Sequence, residues 1–593
     1  MKRRKLLSLG LATAIVAGIV SANGANLQLH STAADDTGDD WLHAVGSRLY
    51  DMNGNEVWLT GANWFGFNCS ENCAHGLYAA DVDDFLSGCA DKGINVIRFP
   101  ISSELLLSWM NGDPNPVSSV QAGYEPPVDE VGENGSITPA GTYVNINKDF
   151  VLEDGKTLKS SMEIFDVIMQ KCKDYGIKAF IDIHSPDANN SGHNYELWYG
   201  KADITTELWI DTLVWLADKY KNDDTLLGFD LKNEPHGKRE YDGTCPDTIA
   251  KWDGTTDENN WAYAATTCAN AILAVNPHAL IFVEGVEQYP KTEKGYTYDT
   301  PDIWQAPADQ SPWYGAWWGG NLRGVRDYPI TPTSGTSQIV YSPHDYGPSV
   351  YAQTWFDKDF NTQTLLDDYW YDTWAYINQE DIAPLLIGEW GGHMDDGKNQ
   401  KWMELLRDYM INNHINHTFW CLNPNSGDTG GLLGYDFTTW DAEKYGLFEP
   451  SLWQTLETGK YIGLDHQKAL GNNGTGLSLN EFYADYAHTE GSNLDGGTIL
   501  NSQGSIVTGV TTSASTSTAP ANLRYGDINE NGEVTIADVI VYNRYIAEDI
   551  ATVVTEQGLA NAEVTGDGNI TGEDAVKVLK YLASLISYEQ LCP

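Results

Sequence analysis

The residues best able to do chemistry in this chain sit at the ends of short apolar runs. "VIRFP" carries Arg98, "IDIH" ends on His184, and "GFDLKNEP" passes from apolar residues to Asn233 and Glu234. "FVEGV" holds Glu284, "YSPHDY" holds His344 and Tyr346, "LLIGEWGG" holds Glu389, and "HTFW" ends on Trp420. An amide or carboxylate is costly to bury unpaired, so one such strand end is ordinary only where it faces water. Seven of them in one chain, all with reactive or stacking side chains, point to a shared site. Carboxylates beside an arginine, imidazoles, a phenol and an indole suit glycoside hydrolysis. One carboxylic acid protonates the leaving oxygen while a second carboxylate attacks the anomeric carbon or activates water. Other chemistries find less support. No G-x-S-x-G nucleophile elbow occurs, and neither His184 nor His344 lies in an H-E-x-x-H or comparable metal cluster. Glu234, Glu284 and Glu389 compete for two carboxyl roles, and strand position alone excludes none of them.

The elements that must hold these residues follow from periodicity. The runs "EVWLTGANWFGFN", "GINVIRFP", "IKAFIDIH", "LLGFDLKNEP", "ALIFVEGV", "QIVYSPHDY", "APLLIGEWGG" and "NHTFWCLNP" read as strands. Helical segments such as "SMEIFDVIMQKCKDYG" and "TELWIDTLVWLADKY" lie between several of them. Eight strands with intervening helices predict an α/β fold, a (β/α)8 TIM barrel with enlarged loops, whose chemistry gathers at the C-terminal rim of its strands. A doubly wound sheet fits less well, because no Gly-rich phosphate loop follows the first strand.

At 593 residues the chain is too long for one small domain. Its 21 Trp and 32 Tyr exceed ordinary packing needs and suit a groove that stacks flat rings. A formal charge of −48 argues against nucleic acid and against anionic membrane surfaces, and suits a neutral substrate. The N-terminus reads as a signal peptide over 1–25. It has a basic stretch from Lys2 to Lys5, an apolar stretch to Val20, and small residues at Ala22 and Ala25. That apolar run is short for a bilayer, so a secreted, extracellular protein is expected. Among the cysteines, Cys69 and Cys73 lack the second pair that a metal site of that spacing needs. Cys245 and Cys268 are placed to bracket a loop, while Cys172 and Cys421 read as buried thiols.

As a set, "FDLKNEPHG", "FVEGV", "WWGGNL", "YSPHDY", "GEWG" and "NPNSGDTGG", with "VIRFP" and "IDIH", resemble glycoside hydrolase family 5. The likeness is to its bacterial endo-β-1,4-glucanase (cellulase) branch and runs over residues 40–465. It implies a retaining double-displacement mechanism on internal β-1,4-glucosidic bonds, with no cofactor for catalysis. Glu234 matches the family's acid/base and Glu389 its nucleophile. Arg98, His184, Asn233, His344, Tyr346 and Trp420 match the other active-site positions, and Glu284 matches no catalytic one. Trp64 and Trp318 are candidates for neighbouring sugar subsites, with core packing the alternative for each. Substrate choice lies in the loops, so a mannanase, xyloglucanase or mixed-linkage glucanase would share this rim. A non-catalytic carbohydrate-binding protein would not need both glutamates.

Beyond the barrel, residues 466–523 read as linker, ending in the Thr/Ser/Ala stretch "TGVTTSASTSTAPAN"; "NEFYADY" has enough apolar character for some order against the barrel. A repeat then begins, with "GDINENGEVTIADVIVYNRYI" aligning on "AEVTGDGNITGEDAVKVLKYL". Asp527, Asn529, Asn531, Thr535 and Asp538 take positions 1, 3, 5, 9 and 12 of a calcium loop, and Glu533 supplies the position-7 carbonyl. The second copy offers Glu563, Thr565, Asp567, Asn569 through its carbonyl, Thr571 and Asp574. The duplicated loop–helix resembles a dockerin, a small all-α module over 524–593. That resemblance implies bound Ca2+, a cohesin partner and a place on a cellulosome. The departure is at Glu563 and Thr565, where dockerins usually carry Asp and Asn.

Overall fold

The computed structural model describes residues 40–494, except 133–134, 190–194, 238–248, 301–309 and 396. Further on it describes 499–500, 506–507, 524–528, 534, 536–546, 554, 556–562, 564–565, 570, 572–582, 587 and 591. The segment read as a signal peptide lies outside these residues. Among the described residues no helix is long and apolar enough to cross a membrane. The chain divides into two units, Met1–Gly509 and Val510–Pro593.

The first unit is built on eight parallel strands: β1 Thr60–Asn63, β2 Val96–Ser102, β3 Lys178–Ser185, β4 Leu226–Asp230, β5 Leu280–Val283, β6 Ile339–Tyr341, β7 Leu386–Trp390 and β8 Asn416–Phe419. They pair in the order β6-β5-β4-β3-β2-β1-β8-β7. Parallel bridges Tyr341↔Leu385 and His344↔Glu389 join β6 to β7 and close the barrel. Buried on both faces, the strands carry nearly continuous apolar runs.

Alternation explains how one strand serves two purposes. On β2 and β3, Ile97, Phe99, Ile101, Ala179, Ile181 and Ile183 pack with the helices around the barrel. The other face holds Val96 and Phe180, which cluster with Leu280, Phe282, Val340 and Leu386 at the N-terminal end. Phe180 stacks on Phe282 with ring centroids 4.4 Å apart. Two residues further along, the same face carries Arg98 after Val96, Asp182 after Phe180 and Glu284 after Phe282. The interior thus changes from apolar to ionisable toward the rim.

Local signals set the helices. The helix Ser161–Asp174 opens on a capping box, with Ser160 N and Oγ donating to Glu163 Oε2 at 2.9 and 2.7 Å. The helix Thr206–Lys219 is capped by Thr205, whose Oγ1 accepts from the Leu208 N–H. Between β5 and β6 the described residues form no α-helix. A hairpin of Gln288–Pro290 with Trp313–Gly315 and two short 3-10 turns, Thr292–Lys294 and Arg323–Arg326, occupy that connection.

The boundary at residue 466 needs correction. Residues 466–494 pack on the barrel's N-terminal end. Leu477, Leu479, Phe482 and Leu494 join the cluster of Leu42, Trp58 and Trp453. Buried His466 contacts Asp40 Oδ1 at 2.6 Å and Asp51 Oδ2 at 2.9 Å. The stretch opens on a Gly- and Asn-rich run, but a few well-spaced apolar residues are enough to fold it back.

The second unit contains helices Ile536–Ile546, Glu556–Ala562 and Gly572–Leu582 around a small core of Ile528, Val539, Tyr542, Val564, Ala575 and Val578. Among the described cysteines, Cys172, Cys268 and Cys421 are free buried thiols, and Cys245 lies outside the described residues.

Candidate active site

The strand ends converge around Arg98, whose guanidinium is completely buried. Its Nη1 donates to Glu389 Oε1 at 2.8 Å and to Asn63 Oδ1 at 2.9 Å. Nη2 donates to Asn233 Oδ1 at 3.0 Å and Glu284 Oε1 at 3.1 Å, and Nε to Asp230 Oδ2 at 3.0 Å. Asp182 Oδ1 is a further 3.1 Å from Nη2. One cation on β2 therefore fixes side chains from the ends of five other strands.

His344 is the second hub. Its Nδ1 lies 3.1 Å from Glu234 Oε1 and 3.6 Å from Glu389 Oε2, while Nε2 is 3.1 Å from Glu284 Oε1. The Tyr346 hydroxyl donates to Glu389 Oε2 at 2.7 Å. Gly388, beside Glu389, keeps this approach open, since a Cβ there would sit 3.0 Å from His344 Nε2. His184 is held by Asp182 at 2.6 Å and lies parallel to Trp420, ring centroids 5.6 Å apart at 8°. Trp420 in turn stacks on Phe65 at 5.6 Å. Glu234 and Glu389 present carboxylate oxygens within 4.8 Å of each other beside His344.

Comparison with known proteins is decisive here. Residues 50–426 match the model of cellulase (glycosyl hydrolase family 5), and residues 525–583 that of the dockerin type I domain. The chain belongs to glycosyl hydrolase family 5. It is 59% identical over 555 residues to Endoglucanase G and 39% identical over 579 residues to Endoglucanase B, both of Acetivibrio thermocellus. Each match covers 92% of this chain and 92% of the relative. An endocellulase from Pyrococcus horikoshii, solved in complex with cellotetraose, is similar at 31% identity and TM-score 0.54 over 69% of this chain and 98% of its own. This family 5 enzyme is a glycoside hydrolase of the endoglucanase type, with a dockerin module at its C-terminal end.

In this endoglucanase the charges around each carboxyl differ. Burial raises Glu234 above the ordinary glutamate range, reinforced by the negative charges of Glu389 and Glu284 against the pull of His344. Burial acts on Glu389 in the same sense, but His344, Arg98 and His184, with the Tyr346 hydrogen bond, outweigh it and hold Glu389 below that range. Asp230 is pushed well up by burial and by Glu284. The site thus pushes two neighbouring carboxyls in opposite directions, Glu234 toward its protonated form and Glu389 toward its ionised one.

Each rim residue expected from the sequence lies in this cluster except the two subsite tryptophans. Trp64 is excluded from a subsite: it is completely buried, packed on Phe85 at 4.2 Å, with its indole N–H donating to His75 O at 2.8 Å. Its neighbours in sequence point to the rim, but the strand's alternation sends Trp64 to the helix side. Trp318 is half-buried, stacked on His236 at 3.9 Å, and His236 Nδ1 bonds Glu234 O at 2.5 Å. Sequence reasoning missed Asn63, Asp182 and Asp230. The signal was present, because Asp182 stands two residues before His184 and Asp230 pairs with it in register.

In the dockerin module, Asp527, Asp538 and Asp574 are buried. Asp574 Oδ1 accepts from Val564 N, Thr565 N and Thr565 Oγ1, each at 3.0 Å. Asn529, Asn531, Glu533, Thr535, Glu563, Asp567, Asn569 and Thr571 lie outside the described residues. Three buried aspartates at oxygen-ligand positions of the two loops fit a calcium ion.

Proposed function

We propose that this chain is a secreted endo-β-1,4-glucanase that hydrolyses cellulose with retention of configuration and docks through its dockerin onto the cohesin of a cellulosomal scaffold. One observation carries the mechanism: oxygens of Glu234 and Glu389 lie within 4.8 Å of each other. That bound falls short of the ~6.5–9.5 Å between carboxyl groups of inverting glycosidases and is compatible with the ~5–5.5 Å of retaining ones. Glu389, ionised against Arg98 and Tyr346, attacks the anomeric carbon. Glu234 gives its proton to the leaving oxygen, and the glycosyl–Glu389 ester forms. Glu234, now a carboxylate, takes a proton from water, which attacks the same carbon and releases Glu389. Asn233, held by Arg98, reaches toward the sugar 2-hydroxyl. Trp420 offers a face for a pyranose ring, and Trp318 one for a neighbouring subsite.

The cellotetraose complex of the related endocellulase and the names of the relatives support a β-glucan as substrate. In the tail, Asp527, Asp538, Thr565 and Asp574, with Asn529, Asn531, Glu533, Glu563, Asp567 and Asn569, would hold calcium, which neutralises the buried carboxylates and orders the loops. Proton NMR of the first turnovers on a cello-oligosaccharide tests the mechanism. An initial β-anomer is expected, and an initial α-anomer would remove Glu389 as nucleophile.

A further inference from the structure

The loop after β1, "CSENCAH" over 69–75, lacks the second cysteine pair of a zinc motif, yet it folds so that three different types of donor meet. One donor atom each from Cys69, Glu71 and His75 lie within 4.8 Å of one another. His75 Nε2 stands 3.7 Å from Glu71 Oε2. The His75 residue is 9% exposed, and its Nε2 makes no hydrogen bond. Cys69 is 4% exposed, whereas the Glu71 side chain is 29% exposed and opens the cluster to solvent.

We propose that Cys69, Glu71 and His75 form a binding site for a thiophilic divalent cation of the zinc type. Thiolate, imidazole and carboxylate together select such an ion over calcium or magnesium, which take oxygen ligands. Three protein ligands leave a fourth position for water on the Glu71 side. The loop is built to hold its shape. Gly66 lies so close to the returning chain that a Cβ would meet Cys73 O at 2.3 Å. The His75 backbone donates to Phe65 O at 3.1 Å and accepts from the Trp64 indole at 2.8 Å. On the far side of the ring, Nδ1 faces the Asn425 side-chain amide at 3.2 Å; ligation through Nε2 leaves the ring proton on Nδ1, for which that amide presents an acceptor when its oxygen is turned inward. The thiol proton passes to solvent as the Cys69–metal bond forms. A bound ion would cross-link this loop internally, beside Phe65, against which the His75 ring packs at 5.2 Å.

The test uses the full chain with saturating calcium, so that the tail is already filled, and Co2+ as probe. Wild type should develop a near-ultraviolet thiolate-to-cobalt band that Zn2+ abolishes, and Zn2+ should raise its melting temperature. Cys69→Ser should show neither effect. His75→Ala should weaken Co2+ uptake at least about 10–100-fold, the loss typical of even an outer partner. Activity on soluble glucan without added metal reports that each variant is folded; should Cys69→Ser fail there, Glu71→Gln and His75→Ala decide. No band in wild type, a band that survives Cys69→Ser, or unchanged uptake in His75→Ala overturns the site.

Discussion

The backbone N–H of Glu234 donates to Glu284 Oε2 at 2.7 Å. Glu234 sits at φ 46°, a left-handed conformation that a side chain rarely adopts without support. Glu284 supplies that support while its other oxygen accepts from Arg98 and faces His344. Gly319 leaves room for it, since a Cβ there would fall 2.3 Å from Glu284 Oε2. Glu284 is thus a positioning residue. Glu284→Gln should lower kcat about tenfold to a hundredfold with little change in KM, the scale set by small misplacements of reacting groups. It also removes a negative charge that raises Glu234. Glu234 would then lose its proton at lower pH, and the alkaline limb of the kcat profile should move down. An unmoved limb would reject the electrostatic part of this role.

Tyr346→Phe should act on the opposite limb. The phenol's hydrogen bond helps to hold Glu389 low, so its loss lets that carboxyl rise. Glu389 then protonates at higher pH, and the acid limb should shift upward. A fall in kcat of about ten- to a hundredfold is expected, because a hydrogen bond to a charged group is worth about 1.5–3 kcal/mol. Steady-state rates from acid to alkaline pH will show both.

Glu389→Gln should abolish turnover almost completely. Glu234→Gln should still release a burst of aglycone from substrates with good leaving groups, which need little acid assistance. Near-normal turnover in Glu389→Gln would redirect attention to Glu284.

His466 links pH to stability at the barrel's closed end. Burial alone would lower its pKa, but the hydrogen bonds and charges of Asp40 and Asp51 override it and raise it to about 10. A raised folded pKa contributes stability that is fully present below the unfolded value of about 6.5 and is lost as pH climbs through the folded one. The melting-temperature gap between wild type and His466→Gln should be widest below about pH 6.5 and narrow toward about 10.

Calcium should order the tail. Hydrogen exchange within 536–546 and 572–582 should slow on adding Ca2+ and quicken on chelation, while exchange in β1 to β8 stays unchanged. Asp527→Ala and Asp574→Ala should each weaken one calorimetric binding event. Equal loss of both events in either variant would show that the two loops are not separate sites.

The sequence alone determined the strand-and-helix order, the barrel and the rim residues from Arg98 to Trp420. It also disclosed the two loop–helix copies of the tail. These are local properties: a period of two places Asp182 and His184 on one face whatever surrounds them. Other features were decided only by the tertiary structure. Trp64 and Trp318 look alike as candidates, yet one packs on Phe85 and the other beside His236. Residues 466–494 look like linker until Phe482 finds Trp453 at 5.5 Å. Glu234, Glu284 and Glu389 have equivalent places in the strand pattern. What separates them is the company that barrel closure brings: Arg98 and Tyr346 on Glu389, the Glu234 amide on Glu284, and burial near two carboxylates on Glu234. Charge interactions and burial depend on distances between residues far apart in the chain, and only closure of the barrel sets those distances.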